Sequence, residues 1–246
     1  MSAGVELTRE RVGIATITLN APERRNALTR ASSRALSAVC DEIDADPSIG
    51  AVVLRGTGGY FCAGGDRTML AEAGRCPASA EAFSTMTDVY SSFRRIGRLQ
   101  APTIAAVRGG AVGAGLNLAL AADLRVVSRE ARLLSGFMRI GLLPGGGHGH
   151  LISAAGPEAA AALSLFGEAI DGCRAVELGL AWEAVDDDQV DSRAYELAAV
   201  PAQDPELARR TARNIRLQIA RPASWDVALE LERAGQMWSM QRASAP

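Results

Sequence analysis

The sequence predicts an α/β fold closed by a helical C-terminal region, and three observations predict it. Short apolar strand patterns alternate with helical ones from Val12 to Val127. From about Glu158 the strand signals stop, and helical segments with charged faces run to Gln241. Apolar residues make up 48% of the 246 residues and aromatics only 4%, so the chain can bury a large aliphatic core. That length suits one large domain or one domain with an appendage. We place the alternating core at residues 1–190 and the helical region at 191–246.

The elements follow in order. Val12 to Leu19 alternates and is rich in β-branched residues, which reads as a strand closed by the turn Asn20-Ala-Pro22. Leu36, Val39, Cys40 and Ile43 recur at i, i+3, i+4 and i+7, the apolar stripe of a helix. Ala51 to Leu54 is continuously apolar, as a strand covered on both faces should be. Residues 71–80 read as a loop or irregular turn. Phe83 to Ile96 reads as a helix and Thr103 to Val107 as a strand. The glycine-rich run Gly109 to Gly115 feeds the apolar helix Leu116 to Ala122, and Leu124 to Val127 is a further strand. A second glycine-rich turn spans Pro144 to His150.

Composition removes several functions. The charge sum is 26 basic against 28 acidic residues, a balance that argues against nucleic-acid binding. Every basic residue is arginine, which excludes Schiff-base lysine chemistry and a P-loop lysine. Cys40, Cys62, Cys76 and Cys173 form no C-x-x-C pair and the N-terminus has no apolar leader core, so we expect a reduced, cytoplasmic protein. No run of about 18 uncharged apolar residues offers a membrane span. Gly113-x-Gly115 meets Leu118 where a dinucleotide fingerprint needs its third glycine. His148 and His150 are the two histidines, and no third or fourth metal ligand is suggested near them, so no metal site is expected.

Two glycine-rich turns remain, Phe61 to Asp66 and Gly110 to Gly115, each after a short apolar strand. Small residues let a ligand approach the main chain, and a helix N-terminus presents free N–H groups. Facing one another, two such turns would make an oxyanion hole. Taken singly, either turn reads first as glycine for tight packing.

Asn20-x-Pro22, Arg25 to Leu28, Phe61 to Asp66, Gly109 to Asp123 and Gly141-Leu-Leu-Pro144-Gly145-Gly146 stand in the order and spacing of the crotonase (enoyl-CoA hydratase/isomerase) superfamily. The chain resembles that family from its first strand to about residue 241. The resemblance implies a crotonase-like spiral of ββα units with a helical C-terminal trimerisation region, trimers often pairing into hexamers. It implies an acyl-CoA thioester as ligand, with coenzyme A part of the substrate and no separate cofactor. It places the two oxyanion donors on Gly65 and Ala114, flanked by Gly113 and Gly145. It also places the CoA-binding segment at Arg24, Arg25, Ala27, Ala63 and Asp66. Asp66 is the family's usual residue there and reads as structural. Arg24 and Arg25 either pair with CoA phosphates or stay solvated.

The sequence departs from the family at the acid–base groups. The positions of the two hydratase glutamates fall on Asn117 and Phe137, neither of which takes up a proton near neutral pH. His148 is the best replacement base on chemical grounds, the alternative being a histidine that caps a helix or lies in solvent. Glu72 and Glu81 flank the variable loop and are further candidates. Against the family, the chain is also shortened after Gln241, where a last helix is expected. The leading reading is an enoyl-CoA hydratase/isomerase-like enzyme that stabilises a thioester enolate. Decarboxylation or thioester hydrolysis is the alternative, since loss of CO₂ needs no protein base to start it. A non-catalytic acyl-CoA-binding subunit is the reading from another class.

Overall fold

Alternation along the strands sorts their side chains onto two faces, and a layer of helices covers each. The computed structural model of the chain describes residues 3–219 together with Arg233, Met237 and Met240. Its larger sheet contains β1 (Val5–Arg11), β2 (Ile14–Leu19), β3 (Ala51–Gly56), β4 (Thr103–Val107), β6 (Leu124–Ser128) and β9 (Glu183–Val185). They lie side by side in that order, β1 antiparallel to β2 and the rest parallel. A smaller sheet is formed by β5 (Gly110–Val112), β7 (Arg132–Leu134) and β8 (Ala169–Ile170), ordered β5-β7-β8.

The first core contains Ala15, Ile17, Val52, Leu54, Ala105, Val107 and Val127. Helices α1 (Arg30–Ala45), α2 (Arg67–Arg75), α3 (Ala80–Ile96) and α4 (Ala114–Ala121) contribute to the same core through Leu36, Met69, Met86, Phe93 and Leu116. The other face presents Ile14, Val53, Ile104, Ala106 and Val126 to the helix α8 (Val190–Ala202). Val190, Ala194, Ala198 and Ala202 recur every four residues along that helix, so a stripe of mostly small side chains packs on the strands. In chain order α5 (His148–Ile152), α6 (Pro157–Ser164) and α7 (Gly172–Glu177) come between α4 and α8. Helix α9 (Pro205–Ile219) is tied to the core by Arg209, whose guanidinium donates to Ile43 O in α1 and to Ile49 O just beyond it.

The repeating unit is a strand in the large sheet, a strand in the small sheet, then a helix. It appears as β4-β5-α4 and as β6-β7 followed by the short helical turn Met138–Ile140. An earlier turn of the spiral is β3, the single bridge of Cys62 to Ala111, and α2. Three strand-to-helix junctions therefore stack beside one another at the C-terminal ends of the small-sheet strands.

Several expectations are corrected. The stretch 71–80 is helical as far as Arg75, because Asp66 accepts from Met69 N at 2.9 Å and starts α2 early. Strands do not stop at Glu158: β8 and β9 follow, too short to read from pattern and held by pairing to β7 and β6. β1 carries charged residues and is made by its hairpin with β2. Among the described residues no helix is long and apolar enough to cross a membrane.

Candidate active site

The three stacked junctions enclose a cavity of about 280 Å³. Ala63, Gly64 and Gly65 line it from the first, Val112, Gly113, Ala114 and Asn117 from the second, and Ser135, Gly136 and Phe137 from the third. Gly145 closes the same wall, and α2 and α3 contribute Leu70, Met86, Tyr90 and Phe93.

The first two turns touch through backbone. Cys62 N donates to Gly110 O at 3.1 Å and Val112 N donates back to Cys62 O at 3.0 Å. Gly64 has φ +105°, and a Cβ there would stand 2.8 Å from Val112 O and 3.7 Å from Ala114 N, so only glycine permits the approach. The N–H groups of Gly65 and Ala114 have no acceptor among the described residues. Their neighbours are committed: Asp66 N donates to Leu28 O, and Leu28 N to Gly64 O. Ala114 opens α4, where the first N–H groups of a helix lack intrahelical partners. Two unused donors from different turns thus sit on one apolar cavity.

Behind this wall lies a buried polar chain. Asn117, fully buried, donates from Nδ2 to Gly145 O at 2.8 Å. That bond fixes the amide, so Oδ1 faces His148 Nδ1 at 2.7 Å. An amide oxygen only accepts; the proton of the neutral ring is therefore on Nδ1. The other ring nitrogen, Nε2, is left as acceptor for the hydroxyls of Ser135 at 2.9 Å and Ser164 at 3.1 Å. Phe137 meets the ring edge-on, centroids 5.2 Å apart. Burial pushes the His148 pKa down to about 4, so the ring is neutral at physiological pH.

The site residues expected from sequence divide into two groups. Gly65, Ala114, Gly113, Asn117, Phe137, Ala63 and Gly145 all line the cavity. Arg24, Arg25, Ala27, Asp66 and His148 do not. Arg24 pairs with Glu23 and donates to Ala27 O, and Arg25 holds Ala63 N through its carbonyl. Asp66 is the N-cap of α2. His148 is neither a cap nor exposed; it lies behind Asn117, Ser135 and Phe137, which do line the cavity. Glu72 and Glu81 are exposed and away from the lining, and no Asp or Glu is among the described lining residues. No cluster of three or more His, Cys, Asp or Glu side chains suited to a metal occurs among the described residues. Burial pushes the Cys62 thiol up to about 12 and leaves it inert. Ser135 had no signal in the sequence beyond its place two residues before Phe137.

The family model for enoyl-CoA hydratase/isomerase matches residues 9–235. This chain belongs to the enoyl-CoA hydratase/isomerase family. Within the crotonase superfamily it is 43% identical over 193 residues to the probable enoyl-CoA hydratase EchA14 of Mycobacterium tuberculosis H37Rv, covering 78% of this chain and 73% of that protein. It is 34% identical over 194 residues to the 1,2-epoxyphenylacetyl-CoA isomerase of Escherichia coli K12, covering 78% and 74%. A crystal structure of an enoyl-CoA hydratase/isomerase from Mycobacterium paratuberculosis superposes with a TM-score of 0.86 at 26% identity, over 98% of this chain and 95% of that one. The spiral of the crotonase superfamily is thus the fold of this chain.

Proposed function

We propose that this family member acts on an acyl-CoA thioester, holding the thioester oxygen on the N–H groups of Gly65 and Ala114 and stabilising an enolate, without the acid–base pair that hydration needs. The observation that carries this reading is the pairing of two unused backbone donors with a cavity wall free of carboxylates among the described residues. Hydration requires a base to direct water and an acid to deliver a proton. Asn117 is committed to His148 and Gly145, and the Phe137 ring has no group that gives or takes a proton. A reaction whose barrier is mainly enolate formation, such as loss of CO₂ from a malonyl-type thioester, asks less of such a site. The two relatives named for acyl-CoA chemistry support the substrate class. Four free thiols fit a reducing, cytoplasmic setting. A homotrimer, or a hexamer made of two trimers, is part of the same proposal.

The test compares purified protein on crotonyl-CoA and on methylmalonyl-CoA. General acid–base groups typically contribute about 10²–10⁴-fold each, so crotonyl-CoA hydration should run roughly 10⁴-fold or more below a glutamate-bearing relative. Methylmalonyl-CoA should lose CO₂ measurably. Crotonyl-CoA turnover on the order of hundreds per second, the range of an efficient enzyme, would overturn the proposal.

A further inference from the structure

We propose that Ser135 is a nucleophile activated by His148, which gives this cavity a thioester-cleaving activity through an acyl-serine intermediate; the inference rests on the acyl-CoA reading above. Three groups are arranged as nucleophile, base and orienter. Ser135 Oγ lies 2.9 Å from His148 Nε2, and His148 Nδ1 lies 2.7 Å from Asn117 Oδ1. Asn117 is itself anchored by Gly145 O at 2.8 Å. A serine hydroxyl is a weak nucleophile until a neighbouring base takes its proton, and that base works only in one tautomer and orientation. The anchored amide supplies both.

The strand register puts this serine beside the oxyanion donors. In the β5–β7 pair Val112 stands opposite Leu134, and Gly113 N donates to Leu134 O at 2.9 Å. Ser135 therefore follows β7 as Gly113 follows β5, one residue from the donor on Ala114, and parallel strands run only about 4.8 Å apart. Ser164 also reaches His148 Nε2, but it does not line the cavity, whereas Ser135 does. His148 is withdrawn from solvent and neutral at working pH, with its unprotonated Nε2 set against the Ser135 hydroxyl.

The chemistry balances with water as co-reactant. The Ser135 Oγ–H proton passes to His148 Nε2 as Oγ bonds to the thioester carbon, and the carbonyl electron pair moves onto the oxygen held by Gly65 and Ala114. Re-forming the C=O breaks the C–S bond. The departing CoA thiolate takes the proton from Nε2 and leaves as the thiol. Water then gives a proton to His148 and its oxygen to the acyl carbon. The second tetrahedral adduct collapses, Oγ leaves and takes the proton back, and the carboxylic acid is released.

The experiment incubates the intact protein with acetyl-, butyryl- and phenylacetyl-CoA, measuring CoA release and the mass of acid-quenched protein. Binding of the non-cleavable thioether S-butyl-CoA is measured in parallel by calorimetry. The expected result is CoA release with an acyl adduct on the peptide carrying Ser135. Ser135→Ala should lose the adduct, and His148→Gln should slow its formation by about 10²–10⁴-fold. Both variants should bind S-butyl-CoA as the parent does. An adduct on another residue, or unchanged CoA release from Ser135→Ala, would overturn the nucleophile. So would a parent protein that binds the thioether yet cleaves none of the three thioesters, with the acyl-CoA reading left standing. A protein that neither binds the thioether nor cleaves any of the thioesters would bring down the acyl-CoA reading, and this inference with it.

Discussion

Asn117 Oδ1 accepts a 2.7 Å hydrogen bond from His148 Nδ1, while the Asn117 amide nitrogen is held by Gly145 O. One side chain thereby links α4 to the Pro144–His150 turn and fixes the proton on a buried ring. Its amide oxygen is committed inward, so the position offers the cavity no free base.

The buried ring makes stability depend on pH. In the unfolded chain His148 titrates near its ordinary 6.5; in the folded protein burial lowers this to about 4. Above pH 6.5 both states carry a neutral ring. As pH falls from 6.5 to 4 the unfolded chain takes the proton first, and stability is lost by about 3 kcal/mol in all. Urea midpoints at pH 7.5 and 4.5 should fall further for the parent than for His148→Gln. Equal falls would show that the ring does not carry this linkage.

Gly65→Pro deletes one of the two unused N–H donors. With the fold preserved by circular dichroism, the turnover of whichever acyl-CoA reacts should drop by a factor equivalent to about 2.7–4 kcal/mol. Full activity in a folded variant would remove Gly65 from the oxyanion hole.

Two left-handed glycines separate crowding from backbone strain. A Cβ on Gly146 (φ +78°) would stand 2.8 Å from the Phe93 ring and 3.1 Å from Asn117 Nδ2, whereas one on Gly141 (φ +71°) would meet nothing within 4 Å. Gly146→Ala should therefore cost about 1–3 kcal/mol more than Gly141→Ala in urea unfolding. Matching losses would mean that Phe93 and Asn117 yield freely.

Val200, Leu207 and Ile215 are 71%, 60% and 52% exposed along α8 and α9, a strip of apolar surface around the groove at Pro102 and Ala122. Such a strip fits burial against further copies of the chain. Light scattering should give about three times, or six times, the 25.7 kDa chain mass. A monomer mass at micromolar concentration would refute the assembly. Met237 and Met240 are buried in the chain's own core and add nothing to this strip. Val227, Leu229, Leu231, Trp238 and the side chains of Leu217 and Ile219 lie outside the described residues.

Legibility followed the physical range of each interaction. β4 was readable to the residue, because a covered strand is a continuous apolar run. β2 starts two residues later than its pattern, since Val12 is 97% exposed in the hairpin turn with Gly13. β7, β8 and β9 have two or three residues each, and so few carry no periodicity. The glycine turns were legible because close backbone approach leaves a mark in residue type. Ser135 was not, because its place beside Ala114 comes from the register of β7 on β5. His148 was legible only as either a replacement base or a capping or exposed histidine; its burial behind Asn117 depends on a bond to a residue 31 positions away.

The stacking of three junctions also bears on how the chain acquires its site. Gly65, Ala114 and Ser135 belong to successive windings, so no local segment contains even a rudimentary version of the cavity. Loop closure across each winding must precede any contact that rewards it, which slows the ordering of such distant partners. A polypeptide still emerging from the ribosome, with β5 made and β7 not, would hold both glycine turns without the wall that faces them. Chemistry in this protein is thus a property of the completed spiral, and ligand capture should report the last step of its maturation rather than an early one.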